Sequence, residues 1–194
     1  MRRMIDEDIQ LLRILSDTAT NIFLSKKSNL ARINSINILQ QEKDRWTDNV
    51  IKPLDDSLAY LKRDIYNILI KIPIYNFFLS QQHGINIFDS AQLISIIVDI
   101  DNFETFGNLI SYSGFTPKAH NYNKKLYKIL LKISYKLIQH NPQYQWIYQK
   151  NIEKYREQNP TYSEKHIENM AKRIVIKKFL KNFYISWKNI NKSF

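Results

Sequence analysis

All three glycines of this 194-residue chain, Gly84, Gly107 and Gly114, fall between residues 84 and 114, and only five prolines are spread over its whole length. Residues that end helices and make tight turns are therefore scarce outside one window, which favours long helices over many short strands. Hydrophobic residues make up 44% of the chain, enough to bury a core. No stretch has the alternation of a strand, and no internal repeat is present. The expected fold class is all-α.

Hydrophobic periodicity supplies the elements. Residues 4–44 place Ile5, Ile9, Leu12, Ala19, Phe23, Leu30 and Ile33 on one helical stripe. A break is expected at Trp46-Thr47-Asp48-Asn49, with Pro53 where a new helix can begin. Then Ile51, Leu54, Leu58, Leu61, Ile65, Ile68 and Ile72 recur in alternating three- and four-residue steps, an a/d heptad seam. Two such helices predict a long antiparallel helical hairpin over residues 1–79. Its seam is open to two uses, a homodimer contact or cover by the same chain. Short helices joined by tight turns are expected from Pro73 to Pro117. Three longer ones follow: about 123–139 with the stripe Leu126, Ile129, Leu130, Ile133 and Leu137, then about 142–157, and a last one after Ser163.

Charge divides the chain unevenly. Residues 1–116 carry 12 Lys/Arg against 14 Asp/Glu, whereas residues 117–194 carry 17 against 4, which together give the net +11. A basic block of this kind attracts a polyanion. Cysteine is absent, which excludes disulfides, thiol catalysis and thiolate zinc sites. His83, His120, His140 and His166 lack metal-ligand spacing, so no metal site is expected. The most apolar stretch, residues 65–79, is interrupted by Lys71 and Pro73 and is too short to span a bilayer. With Asp6, Glu7 and Asp8 directly after the start, no signal peptide is expected. These features predict a soluble cytoplasmic protein, associated with the nucleoid and not with a membrane.

Within residues 80–194, the run Gly84-Ile85-Asn86 followed by Ala91, Leu93, Ile94 and Ile97 reads as a helix-hairpin-helix. A first helix ends before His83, Gly84 supplies positive φ, Asn86 tolerates the left-handed region, and a second helix starts near Asp89 or Ser90. Such a turn aims Gly84, Ile85 and Asn86 amides and a helix N-terminus at a phosphate, reading backbone and not sequence. Lys118 ahead of one helix, Lys124, Lys125 and Lys128 on it, and Lys172, Arg173 and Lys177 on the last form the expected lysine-rich DNA-binding face, with Lys132, Lys136, Lys178 and Lys181 alongside. Interleaved aromatics can stack on unpaired bases. Asp101, beside Ile100, reads as a cap or turn residue.

The order of these residues resembles the C-terminal part of the DEDD/serine transposases of insertion sequences, the bridge-RNA-guided group. The matching positions are Gly84-Ile85-Asn86, Ala91, Leu93-Ile94, Val98-Asp99-Ile100 where the family has Gly-Asp-Ile, and Asn102-Phe103. Leu109-Ile110-Ser111-Tyr112-Ser113-Gly114-Phe115 and Pro117 follow, and then Asn141-Pro142 with Tyr144. The resemblance covers about residues 5–187 and is specific between 84 and 117. It implies a coiled coil ahead of a transposase DNA-binding domain, with DNA and guide RNA as partners. It also implies magnesium held by a nuclease-like domain that this sequence lacks, so no cofactor is expected here. The family's serine nucleophile is missing too, and the stretch reads Lys118-Ala119-His120-Asn121-Tyr122. Tyr122 is the sole catalytic candidate, with a packing tyrosine as its competing role. Ser113 is expected to be structural.

The function expected is thus DNA binding within transposition or recombination, without strand transfer by this chain alone. Two other readings stand beside it: a non-catalytic dimerising adaptor with a basic face, and a complete strand-transfer enzyme using Tyr122.

Overall fold

The computed structural model describes residues 2–117 and 121–193. Among them the fold is all-α, with no strand. The chain divides into two compact units, Met1–Lys71 and Ile72–Phe194.

The first unit contains α1 (Arg2–Ser35), α2 (Gln40–Trp46), a π-helical turn (Thr47–Ile51) and α3 (Lys52–Leu69). α1 packs along α3, and Lys26 pairs with Asp55 while Asp8 pairs with Lys71, so the two helices run in opposite directions. The heptad pattern of α3 decides what lies between them. Leu58, Ile65 and Ile68 are buried, as are Ile9, Leu12, Ser16 and Ala19 on α1, where the small Ser16 and Ala19 admit the larger side chains opposite. Each buried leucine or isoleucine contributes roughly 2 kcal/mol. The seam is therefore covered from within the chain, and the homodimer read from it loses that surface.

Two local expectations need correction. The chain breaks at residues 36–39, not at Trp46-Thr47-Asp48-Asn49. Asn34-Ser35-Ile36-Asn37 is rich in residues that leave helices for turns, and Ile36 and Leu39 are exposed. Trp46 to Lys52 is continuous helix with π geometry. Pro53 lacks an N–H and its ring crowds the carbonyl four residues back, so the turn ahead of it widens instead of breaking. Phe23, placed on the buried stripe by periodicity, is largely exposed.

The second unit begins eight residues before the boundary expected from sequence, because Ile72–Leu79 pack into it. Its elements are α4 (Pro73–Phe77), α5 (Ile87–Ile97), α6 (Phe106–Tyr112), α7 (Lys124–His140), α8 (Pro142–Gln158) and α9 (Glu164–Ser193). Short 3-10 turns lie at Leu79–Gln81 and Ile100–Asn102. α9 is the central member and touches α4, α6, α7, α8 and the second 3-10 turn. Its Phe179 and Phe183 pack at a tilt against Phe78, and Trp187 meets Phe183 edge-on. The Asn141-Pro142 punctuation has a plain structural reason. Asn141 caps α8, Pro142 occupies its first turn, and Tyr144 is buried against Phe179.

The turn at residues 82–86 differs from the helix-hairpin-helix expected. It joins a three-residue 3-10 turn, not a full helix, to α5. Gly84 does have positive φ, +95°, but it faces inward: a Cβ there would lie 2.6 Å from the carbonyl oxygen of Lys136. Asn86 is extended, not left-handed, and caps α5, which begins at Ile87. The other strained position is Val98, with φ 64° and ψ −65° and a bond from the Asp99 amide to the Ile97 carbonyl, a γ-turn of the rare hand. A β-branched residue is poorly suited to it. It occupies the place of the glycine in the Gly-Asp-Ile element that the sequence resembles.

Two results should follow. Gly84→Val should lower unfolding free energy by about 3 kcal/mol, since backbone cannot yield as a flexible side chain can, whereas Val98→Gly should raise it by about 1 kcal/mol by releasing strain. Urea titrations check both, and equal effects at the two positions would contradict this account. Leu58→Lys should cost the first unit helicity as well as stability, because the seam is internal. A variant that keeps its helix content by circular dichroism but halves in mass would restore the dimer.

Candidate nucleic-acid interface

The hairpin and the lysines expected to bind phosphate meet at one buried carboxylate. Asp89 is completely buried. As the third residue of α5 it closes a capping box, its carboxylate accepting from the Asn86 amide while the Asn86 side chain accepts from the Asp89 amide. Lys132 reaches it at 2.9 Å, and Lys136 pairs with its other oxygen. An anion already sits at the N-terminus of α5, and it belongs to the chain itself. Gly84 packs on α7, Ile85 is half-buried with its amide bonded to the Gln82 carbonyl, and Asn86 is engaged in the cap. Gly84, Lys132 and Lys136 thus join this turn and α5 to α7, while Ile85 and Asn86 form the turn and the cap.

The remaining candidates separate by what they touch. Lys172 is buried, with its ammonium over the Tyr135 ring at 4.8 Å, 3.1 Å from Glu168 and within reach of the Tyr135 hydroxyl. Burial works against its charge, but Glu168 and the hydroxyl outweigh that and hold its pKa above the usual lysine value. It is a structural cation and not part of an outer face. Lys188 is likewise tied to Asp101, whose hydrogen bonds hold its pKa up, and Arg156 to Glu164. Lys124, Lys125 and Lys128 lie exposed along the first two turns of α7. Lys118 lies outside the described residues, as do Ala119 and His120.

On α9 a second group stands out. Arg173, Lys177 and Lys181 recur every four residues, which keeps them within about 80° of one another around the helix, with Lys178 beside them. Arg173, Lys178 and Lys181 are exposed and Lys177 is half-exposed. The acidic residues nearest the start of α9, Glu164 and Glu168, are taken up by Arg156 and Lys172, which leaves the stripe net positive. Charge of one sign repeated along a face repels itself and adds no stability, and Lys124 and Lys125 also oppose the dipole at the N-terminus of α7. An external polyanion would relieve both.

Tyr122 covers Gly114. That glycine has φ +81°, and a Cβ on it would meet the Tyr122 ring at 2.6 Å. The ring also leans on Tyr127 at 5.3 Å, and Tyr127 stacks on Phe115 at 4.9 Å. These contacts account for Tyr122 as a packing residue. Ser113 is buried, its hydroxyl donating to the Ile110 carbonyl, and is structural as expected. Asp101, expected as a cap or turn residue, lies within the 3-10 turn; Asp99 caps that turn, while the Asp101 side chain holds Lys188 and Asn191 of α9.

Tyr122→Phe should leave stability within about 0.5 kcal/mol of the parent, because the ring makes the contacts, and Tyr122→Ala should cost about 2 kcal/mol. Thermal unfolding of the two variants checks this, and a large loss in Tyr122→Phe would assign the hydroxyl a role that the packing does not require.

Comparison with protein-family models, with curated proteins and with solved structures returned no match, so the reading of this face rests on its geometry and charge.

Proposed function

We propose that the second unit binds nucleic acid, DNA above all, by its phosphate backbone, and that the chain serves as the non-catalytic DNA-binding part of a transposition system. The carrying observation is the stripe Arg173, Lys177 and Lys181 with Lys178, exposed or half-exposed on one helix while neighbouring carboxylates are paired elsewhere. Successive members rise about 6 Å along the helix axis. Two nucleotides of one duplex strand rise about 7 Å, so the stripe can follow a backbone. Lys124, Lys125 and Lys128 extend the basic surface onto α7.

The setting in transposition draws on the sequence resemblance and on one local feature in keeping with it. Positive φ occurs at Gly84, Val98 and Gly114, and all three lie where the family pattern carries glycine. Binding by lysines stabilises ground and transition states alike, so it gives affinity and not rate. The packing of Tyr122 on Gly114 favours a binding role over strand transfer. Guide RNA offers the same phosphate chemistry, and the test below takes DNA as its probe.

A triple variant, Arg173, Lys177 and Lys181 to Glu, should weaken duplex DNA binding at least tenfold. It should also reduce the slope of log affinity against log salt by about 2 to 3, roughly one for each phosphate that is no longer neutralised. Fluorescence anisotropy at several salt concentrations measures both. A parent affinity that is insensitive to salt, or a slope unchanged in the variant, would sink the proposal.

A further inference from the structure

Beside the lysine stripe, α9 forms one wall of a cleft of about 290 Å³ in the second unit. Its surface is mostly polar; Phe78, itself packed on Phe179 and Phe183, lies at its base, and Ile185 lines one side. Around Phe78 and Ile185 stand Gln82, Gln143, Asn182 and Ser186, which approach from the turn before α5, the first turn of α8 and α9. The Gln82 amide donates to the Phe78 carbonyl at 3.2 Å, and the Asn182 amide donates to the Tyr144 hydroxyl at 3.4 Å. Each of these two side chains keeps its carbonyl oxygen as an acceptor, while Gln143 and Ser186 bring both donors and acceptors. Among the described residues no charged side chain lines the cleft, and burial pushes the Tyr144 phenol above its usual pKa, so it stays neutral.

Neutral donors and acceptors gathered around Phe78 and Ile185 suit a flat heteroaromatic ring with polar edges. The charge that such a ring would bring with it has a place nearby. Lys178 lies one helical turn before Asn182, and Lys181 one turn before Ile185, on the same side of α9. A base in a duplex has its faces stacked and its pairing edge occupied, so only an unpaired or extruded base can enter.

We propose that this cleft receives one unpaired nucleobase of a strand whose phosphates lie on Lys178 and Lys181. The proposal rests on the nucleic-acid reading above and adds a mode of recognition to it.

The test uses the full chain with short mixed-sequence single strands, of DNA and of RNA, each compared with a strand of the same length carrying a run of abasic sites. The parent should bind intact strands about tenfold more tightly than abasic ones. Ser186→Leu, which fills the cleft from a half-exposed position, and Gln143→Ala, at an exposed position, should each remove that difference. Both should keep the parent's salt slope and circular dichroism. Base dependence in only one of the two chemistries supports the cleft and assigns the strand it holds. Equal binding of intact and abasic strands by the parent, or base dependence that persists in both variants, overturns the cleft while leaving phosphate binding intact. Failure to bind any strand overturns the cleft and the nucleic-acid reading together.

Discussion

The second unit depends on the burial of α9. Its side chains from Ile167 to Trp187 are the surface on which α4, α6, α7 and α8 settle, and the rings of Phe179 and Phe183 supply much of the apolar area. Because neighbours take up the apolar side of the helix, its remaining side is fixed in space. Arg173, Lys177 and Lys181 are presented there by a packed helix and not by a mobile loop. The same burial positions Asn182, Ile185 and Ser186 beside them. A helix this deeply held tolerates like charges along its outer edge, whose mutual repulsion in water is a small fraction of the stabilisation from the rings.

The buried carboxylate of Asp89 shows how a motif can change its meaning in context. A glycine turn ahead of a helix N-terminus is a general anion site. Here the third residue of that helix is itself an anion, desolvated and paired with two lysines from α7. Removing a charged group of this sort from water is costly unless it is paired: Lys136 and the Asn86 amide hydrogen-bond one oxygen, and Lys132 meets the other as an ion pair without a hydrogen bond. The pairing ties α5 to α7 and also withdraws Lys132 and Lys136 from the outer basic surface. The positive potential facing solvent is therefore set by the residues left over after the internal pairs are made, Lys124 and Lys128 among them on α7.

Lys172 illustrates the same division on α9. Adjacent in sequence to Arg173, it lies about 100° away around the helix and ends up under Tyr135 and Glu168. Charge alone gives no means of telling the two apart. One turns inward to complete a packed cluster, and the other remains available to an external partner.

Much was legible from local pattern. The periods of 3.6 and 3.5 residues placed α7 and α8 within a residue or two, picked the buried side of α3, and identified Leu126, Ile129, Leu130, Ile133 and Leu137 as core. These succeed because helix periodicity is a property of neighbours a few residues apart, and burial of one side follows from it directly. The positive φ of Gly84 was legible for the same reason, since it is set by the residue itself. What the sequence did not determine was which partner each element would meet. Whether the α3 seam met α1 or a second copy, whether Gly84 faced solvent or the Lys136 carbonyl, and whether Lys172 and Asp89 lay outside or within the core were settled by tertiary packing. The reason is physical: local pattern fixes which side of a helix is apolar, but the partner that covers it, and the buried charges that must then be paired, depend on elements dozens of residues away.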